Sequence, residues 1–207
     1  MRTPEELKDG YRAFRRGTYK HQARLYEELG RGQDPDIMII ACADSRAEPA
    51  DIFNAAPGQL FVVRNVANLV PPYDQGGGLH GVSAALEFAV TALEVKHILI
   101  MGHGGCGGVN ASLSAAKDRP VGQFIAPWVS LLDEARDEVL KKGAADNQRA
   151  LEFAGIGTSI RNLMSFPFVR ERVEAGKLEL HGAWFAIAHG ELHWRDPATG
   201  EFSVVEA

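Results

Sequence analysis

"IMIIACADSR", residues 37–46, decides the architecture. Its apolar side chains follow one another without the polar alternation of a strand that has one face in water, so the run predicts a strand buried on both faces of a parallel sheet. "LFVVRN" (60–65) and "HILIMGH" (97–103) repeat the pattern. Between them, "GVSAALEFAVTALEV" (81–95) places Val82, Leu86, Ala89, Val90 and Leu93 on one helical face, which makes a right-handed βαβ crossover. Two helical stretches follow, roughly 126–142 and 146–163. "GKLELHGAWFAIAHGELHWRD" (176–196) then reads as a hairpin turning at Gly190 and extending the sheet edge. The expected class is α/β, with a mainly parallel four- to five-stranded sheet, flanking helices and an N-terminal helical arm. That arm, residues 1–32 of a single domain spanning 1–207, has a helical rhythm over 4–29 broken near Gly17. Two short helices are expected, packed on the outside of the domain or on a partner subunit.

With 207 residues, 45% of them hydrophobic, the chain can bury one substantial core. The formal net charge of -5 comes without a basic stripe, which argues against nucleic-acid binding. The opening "MRTPEELKDG" is charged from its second residue and lacks the apolar segment of a secretory signal. No stretch reaches the roughly 18 apolar residues of a membrane span, so a soluble, cytoplasmic protein with no membrane partner is expected. In that setting two cysteines point to metal binding or catalysis before a disulfide.

In open parallel sheets reactive groups collect at the carboxyl ends of strands. Cys42 ends the first run, Arg64 and Asn65 the second, and His103 with Cys106 the third. Two thiols and an imidazole are a zinc-type ligand set, and three protein ligands with a fourth position left over is the arrangement of a catalytic site. A buried cysteine is often only a small hydrophobe, but both of these lie in polar or glycine-rich turns. "GHGGCGGV" lacks the Lys-Ser/Thr pair of a phosphate-binding loop and the spacing of a dinucleotide fingerprint. Side chains two apart in extended backbone share a face, so Asp44 comes within reach of the metal or its water, and Arg46 is placed to pair with Asp44. His21, His80, His97, His181, His189 and His193 have no metal spacing with the cysteines and read as surface or hydrogen-bonding residues, His181 as structural at the sheet edge.

"CADSR" (42–46), "FVVRNVANLV" (61–70), "AALEFAV" (84–90) and "GHGGCGG" (102–108), with "GKLELHGAWF" (176–185), together resemble the β-class carbonic anhydrases over roughly residues 5 to 195. The resemblance implies a zinc enzyme that reversibly hydrates carbon dioxide to bicarbonate and a proton. Cys42, His103 and Cys106 would hold zinc, and Asp44, paired with Arg46, would orient the zinc-bound hydroxide. Alternatively, Asp44 would leave Arg46 and become the fourth ligand, closing the site. For the substrate pocket the resemblance implies Phe61, Val66, Phe88 and Gly104, with Gln33 donating across a dimer interface. It also implies a homodimer or homotetramer. Phe88 stands where the plant-like branch usually has tyrosine.

Another branch of the family binds bicarbonate at a non-catalytic pocket through tryptophan, arginine and tyrosine. The matching positions here are Ile39, Arg64 and Phe185, so only the arginine is present and no such regulation is expected. Other readings are the same zinc fold acting on carbon disulfide or carbonyl sulfide, and a non-catalytic zinc or redox sensor.

Overall fold

In the computed structural model, which describes residues 3–74, 78 and 80–206, the three apolar runs become neighbouring strands of a six-stranded sheet, although the run 60–65, expected to be buried on both faces, is its edge strand and leaves Val62 exposed. Its strands are β1 (Ile37–Cys42), β2 (Leu60–Asn65), β3 (His97–His103), β4 (Glu179–Ala186), β5 (Glu191–Arg195) and β6 (Phe202–Val204), in the spatial order β2-β1-β3-β4-β5-β6. The first four pair in parallel, and β5 and β6 add antiparallel at the far edge. The sheet thus has one strand more than the sequence suggested. Phe202–Val204 is only three residues long, too short to show an alternating pattern.

The helices are α1 (Pro4–Arg16), α2 (Thr18–His21), α3 (Ala23–Leu29), α4 (Pro49–Ile52), α5 (Gly81–Glu87), α6 (Gly107–Ala115), α7 (Ile125–Val129), α8 (Asp133–Lys142), α9 (Asn147–Leu163) and α10 (Pro167–Glu174). The chain divides into two compact units, Met1–Asp34 and Pro35–Ala207. In the first, the break at Gly17 falls where the sequence places it, but the second half is split again at Gln22 into α2 and α3. Phe14, Tyr19 and Tyr26 form a ring cluster there, with centroids 5.4–5.9 Å apart.

In the second unit, alternate side chains of the central strands feed opposite cores. Met38, Ile40, Ile98 and Ile100 pack with Leu86, Val90, Ile156 and Val169 on one face. Ile39, Ala41, Leu99 and Met101 pack with Ala183, Phe53 and Trp194 on the other. Helix α5 continues into a π-helical turn over Phe88–Ala92, closed by the Leu93 N–H donating to the Phe88 carbonyl at 3.0 Å. The apolar period had correctly marked its buried face, Val82, Leu86, Ala89 and Val90, but is insensitive to a local expansion of the helix. Gly190, with φ of 68°, makes the turn between β4 and β5.

Helix α9 lies unusually close to the sheet. A Cβ on Gly102 of β3 would sit 2.9 Å from Ile156 Cδ1, and one on Gly182 of β4 would sit 2.8 Å from Ile156 Cγ2. The two glycines make room for Ile156, and that approach carries the residue one turn earlier, Glu152, down to the strand ends.

Candidate metal centre

Cys42 is the last residue of β1 and His103 the last of β3, neighbouring parallel strands. Beyond His103 the chain turns through Gly105, whose φ of +67° favours glycine, and Cys106 caps the start of α6 with extended backbone. All three are buried, at 6%, 1% and 1% exposure, and their ligand atoms lie within 4.8 Å of one another. The Sγ atoms of Cys42 and Cys106 are 3.8 Å apart. Tetrahedral zinc with bonds of about 2.3 Å to sulfur needs its sulfurs about 3.8 Å apart. The imidazole supplies an independent indication. His103 Nδ1 donates to the Gly104 carbonyl at 3.0 Å, so the lone pair of the neutral ring resides on Nε2, and Nε2 is buried with no hydrogen-bond partner among the described residues. A buried acceptor without a donor costs about 1–3 kcal/mol, and a metal ion at this place would satisfy it.

The thiols are unequal. The hydrogen bond from Cys106, helped by His103 and opposed by burial, pulls Cys42 down to about 4, while the same bond and burial push Cys106 up. The lowering at Cys42 favours the thiolate, the form in which a cysteine binds a metal. His103 is raised despite its burial, through Cys42.

Asp44 stands beside this trio and outside it. Its Oδ1 accepts from the Arg46 backbone N–H at 3.0 Å and from Arg46 Nε at 2.9 Å, and its Oδ2 accepts from Arg46 Nη2 at 2.7 Å. This fork holds the carboxyl well below the usual carboxylate range. Arg46 Nη2 also donates to the Gly105 carbonyl at 3.2 Å, joining the two ligand-bearing turns. Asp44 Oδ2 is 3.8 Å from His103 Nε2, close to the region where the ligand atoms converge.

Two supporting residues, Glu152 and Gln148, were missed in the sequence. Glu152, 4% exposed, accepts the Cys106 backbone N–H at 2.9 Å, the Gln148 side-chain amide at 3.0 Å and the Trp184 indole N–H at 2.9 Å. Gln148, one turn earlier, donates to the Cys106 carbonyl at 2.9 Å. A carboxylate amid the apolar "LEFAGI" of a helix was the available signal. Arg64 donates from Nε to the Cys42 carbonyl at 2.9 Å and from Nη2 to the Asp44 carbonyl at 2.6 Å, and its Nη1 pairs with Glu48. Its guanidinium holds the turn that presents Cys42 and Asp44.

The residues expected around the substrate are only partly brought together within one chain. Val66 packs against the cluster containing Cys42 and Cys106, and Gly104 directly follows His103. Phe61 lies opposite Met38, four residues short of Cys42, and its ring meets Phe88 at 5.9 Å beside a different part of the core. Gln33 belongs to the N-terminal unit.

Two thiols and an imidazole converging at the carboxyl ends of parallel strands define an α/β protein with a Cys-His-Cys group that could hold a metal ion. The carbonic anhydrase family model matches residues 37–192. Beta carbonic anhydrase 3 of Arabidopsis thaliana is 37% identical over 193 residues, covering 90% of this chain and 74% of that protein. Among solved structures, the β-carbonic anhydrase CcaA superposes with a TM-score of 0.91 at 31% identity, covering 98% of this chain and 92% of that one. One of two tetrameric β-carbonic anhydrases from the ascomycete Sordaria macrospora superposes with a TM-score of 0.81 at 29% identity, covering 96% and 98%. The chain belongs to the β-class carbonic anhydrases, in their plant-like branch, and is a lyase.

Proposed function

We propose that this enzyme reversibly hydrates carbon dioxide using one zinc ion held by Cys42, His103 and Cys106, with Asp44 and Arg46 orienting the attacking water. The observation that carries the reading is the unpartnered Nε2 of His103 beside two sulfurs at the spacing of a tetrahedral ion. A zinc ion held by Cys42, His103 and Cys106 would supply Lewis acidity, lowering the pKa of water from 15.7 toward about 7.

The chain's own groups do the positioning. Asp44, kept ionised by the Arg46 fork, can only accept hydrogen bonds, so it takes the O–H of the nucleophile and turns the oxygen lone pair toward the carbon of carbon dioxide. Arg46 holds that acceptor in place through both guanidinium contacts and the Gly105 carbonyl. Glu152 and Gln148 fix the backbone of Cys106 so that its sulfur does not wander. Loss of the Arg46 contacts would free Asp44 to swing toward His103 Nε2 and block the open position. The test is zinc content together with stopped-flow carbon dioxide hydration, on the wild type and Asp44→Asn. About one zinc per chain with fast hydration that falls in the variant supports the reading. Zinc without hydration refutes it.

A homodimer or larger assembly belongs to the same proposal. Leu7 and Tyr11, 60% and 62% exposed, project from an α1 that has no buried residue. Phe88 is 47% exposed, and an S. macrospora relative is described as tetrameric. A second subunit would bring Gln33 and the Phe61–Phe88 pair to a neighbouring centre. Light scattering that finds a monomer would rule this out.

A further inference from the structure

At the amino ends of β3 and β4, at the opposite end of the strands from Cys42, three side chains converge, His97, Glu179 and His181. His97 opens β3, and the parallel register sets it beside Glu179, the first residue of β4. His181 lies two residues along β4 on the same face as Glu179. His97 Nδ1 is 3.2 Å from His181 Nε2, Glu179 Oε2 is 3.8 Å from the first nitrogen and 3.6 Å from the second.

We propose that His97, Glu179 and His181 form a second metal site, which takes a borderline divalent transition ion such as zinc. A point equidistant from the three atoms lies about 2.1 Å from each, the length of zinc bonds to imidazole nitrogen and carboxylate oxygen. Two imidazoles and one carboxylate suit zinc, nickel or copper better than magnesium or calcium, which prefer all-oxygen shells. The Trp194 ring lies 5.7 Å from that of His181 and limits its rotation. On the solvent side Glu179 is exposed and borders a cleft of about 450 Å³, through which water can complete the coordination. Two cations on this cleft are engaged elsewhere, Lys96 by Asp36 and Arg172 by Glu94. The site lies a strand's length from the first centre, about 20 Å by strand rise. An ion here ties the entry ends of two parallel strands and stabilises the fold by mass action.

The probe is zinc chloride, titrated calorimetrically into the enzyme already loaded at its first centre. Wild type is expected to take up a second equivalent per chain, with the unfolding midpoint rising as zinc is added. His97→Asn and His181→Asn are expected to bind that equivalent at least ten-fold more weakly and to lose the thermal shift. Their carbon dioxide hydration at limiting zinc should match wild type. Failure of the wild type to bind a second equivalent overturns the proposal, and so does equal second binding in both variants, which would place the ion elsewhere. Independently of any variant's folding, copper(II) added to the loaded wild type should give an electron paramagnetic resonance spectrum with two nitrogen ligands. A spectrum without nitrogen splitting would show that the histidine pair is only an N–H···N contact.

Discussion

Glu152 accepts the backbone N–H of Cys106 at 2.9 Å while its other oxygen accepts the indole of Trp184 at the same distance. A buried carboxylate on α9 thus fixes Cys106, a proposed metal ligand, on the turn after β3. Glu152→Gln would keep the shape but turn an amide N–H either toward the Trp184 indole or toward the Cys106 and Gln148 donors. The stability loss should be about 1–3 kcal/mol, from a buried donor left unpaired. Metal affinity, read by chelator competition, should fall about 10–100-fold. A variant that matches wild type in both would show that the contact is incidental.

Arg46→Lys is the cleanest probe of the Asp44 fork. Lysine keeps the charge but cannot make the two planar contacts at 2.9 and 2.7 Å. Hydration should fall about 10–100-fold with metal content unchanged. Unchanged turnover would mean that ion pairing alone, without geometry, is sufficient.

Helix α6 approaches the turn after β2 at Gly108, where a Cβ would lie 2.5 Å from Val66 Cγ1 and 2.9 Å from Ala67 Cβ. Gly108→Ala should therefore push α6, and Cys106 at its cap, away from Cys42. The expected cost is about 1–3 kcal/mol by denaturant titration, with reduced metal retention on dialysis. Full retention would show that the helix shifts without moving the cysteine.

Metal removal should act far beyond the ligands. If the ion binds only the folded chain, at 1,000 times its dissociation constant it contributes about 4.1 kcal/mol. Chelation should thus lower the thermal midpoint and re-addition of zinc should restore it. His103→Ala should begin at the lower value and not respond. A midpoint indifferent to chelation would mean that the centre adds nothing to folding.

The β5–β6 turn supplies a pH prediction. Asp196 Oδ1 accepts the backbone N–H of Ala198 at 2.7 Å and of Thr199 at 2.9 Å. Bonds from Thr199 first, then Ala198, lower the carboxyl's pKa. A depressed carboxylate contributes stability above its unfolded pKa of about 3.9 and loses it as pH falls through the lower folded value. Asp196→Asn keeps an acceptor oxygen but cannot titrate. The stability difference between the two proteins should therefore shrink below about pH 4. A difference independent of pH would refute this.

The centre was legible because its three ligands sit where sequence rules look, at the carboxyl ends of uninterrupted apolar runs. The same logic placed Asp44 and Arg46, two and four residues beyond Cys42. Glu152 and Gln148 were not legible, since their role depends on how closely α9 approaches Gly102 and Gly182, a matter of packing. The His97–His181 contact depends on strand register, which joins residues 84 apart and leaves no mark in local pattern. In the fold, β6 was too short to show a period, and the π turn at Phe88 preserves the apolar face that the period reports.

The ligands of the first centre also set an order of events. His103 and Cys106 are near neighbours in the chain, whereas Cys42 is 64 residues from Cys106 and reaches it only once β1 has zipped alongside β3. If the proposed ion is held by these three residues, tight capture would have to wait for a long-range parallel pairing of the kind that is intrinsically slow. Metal uptake at Cys42 would then act as a clock for maturation, marking molecules whose β1 and β3 have paired.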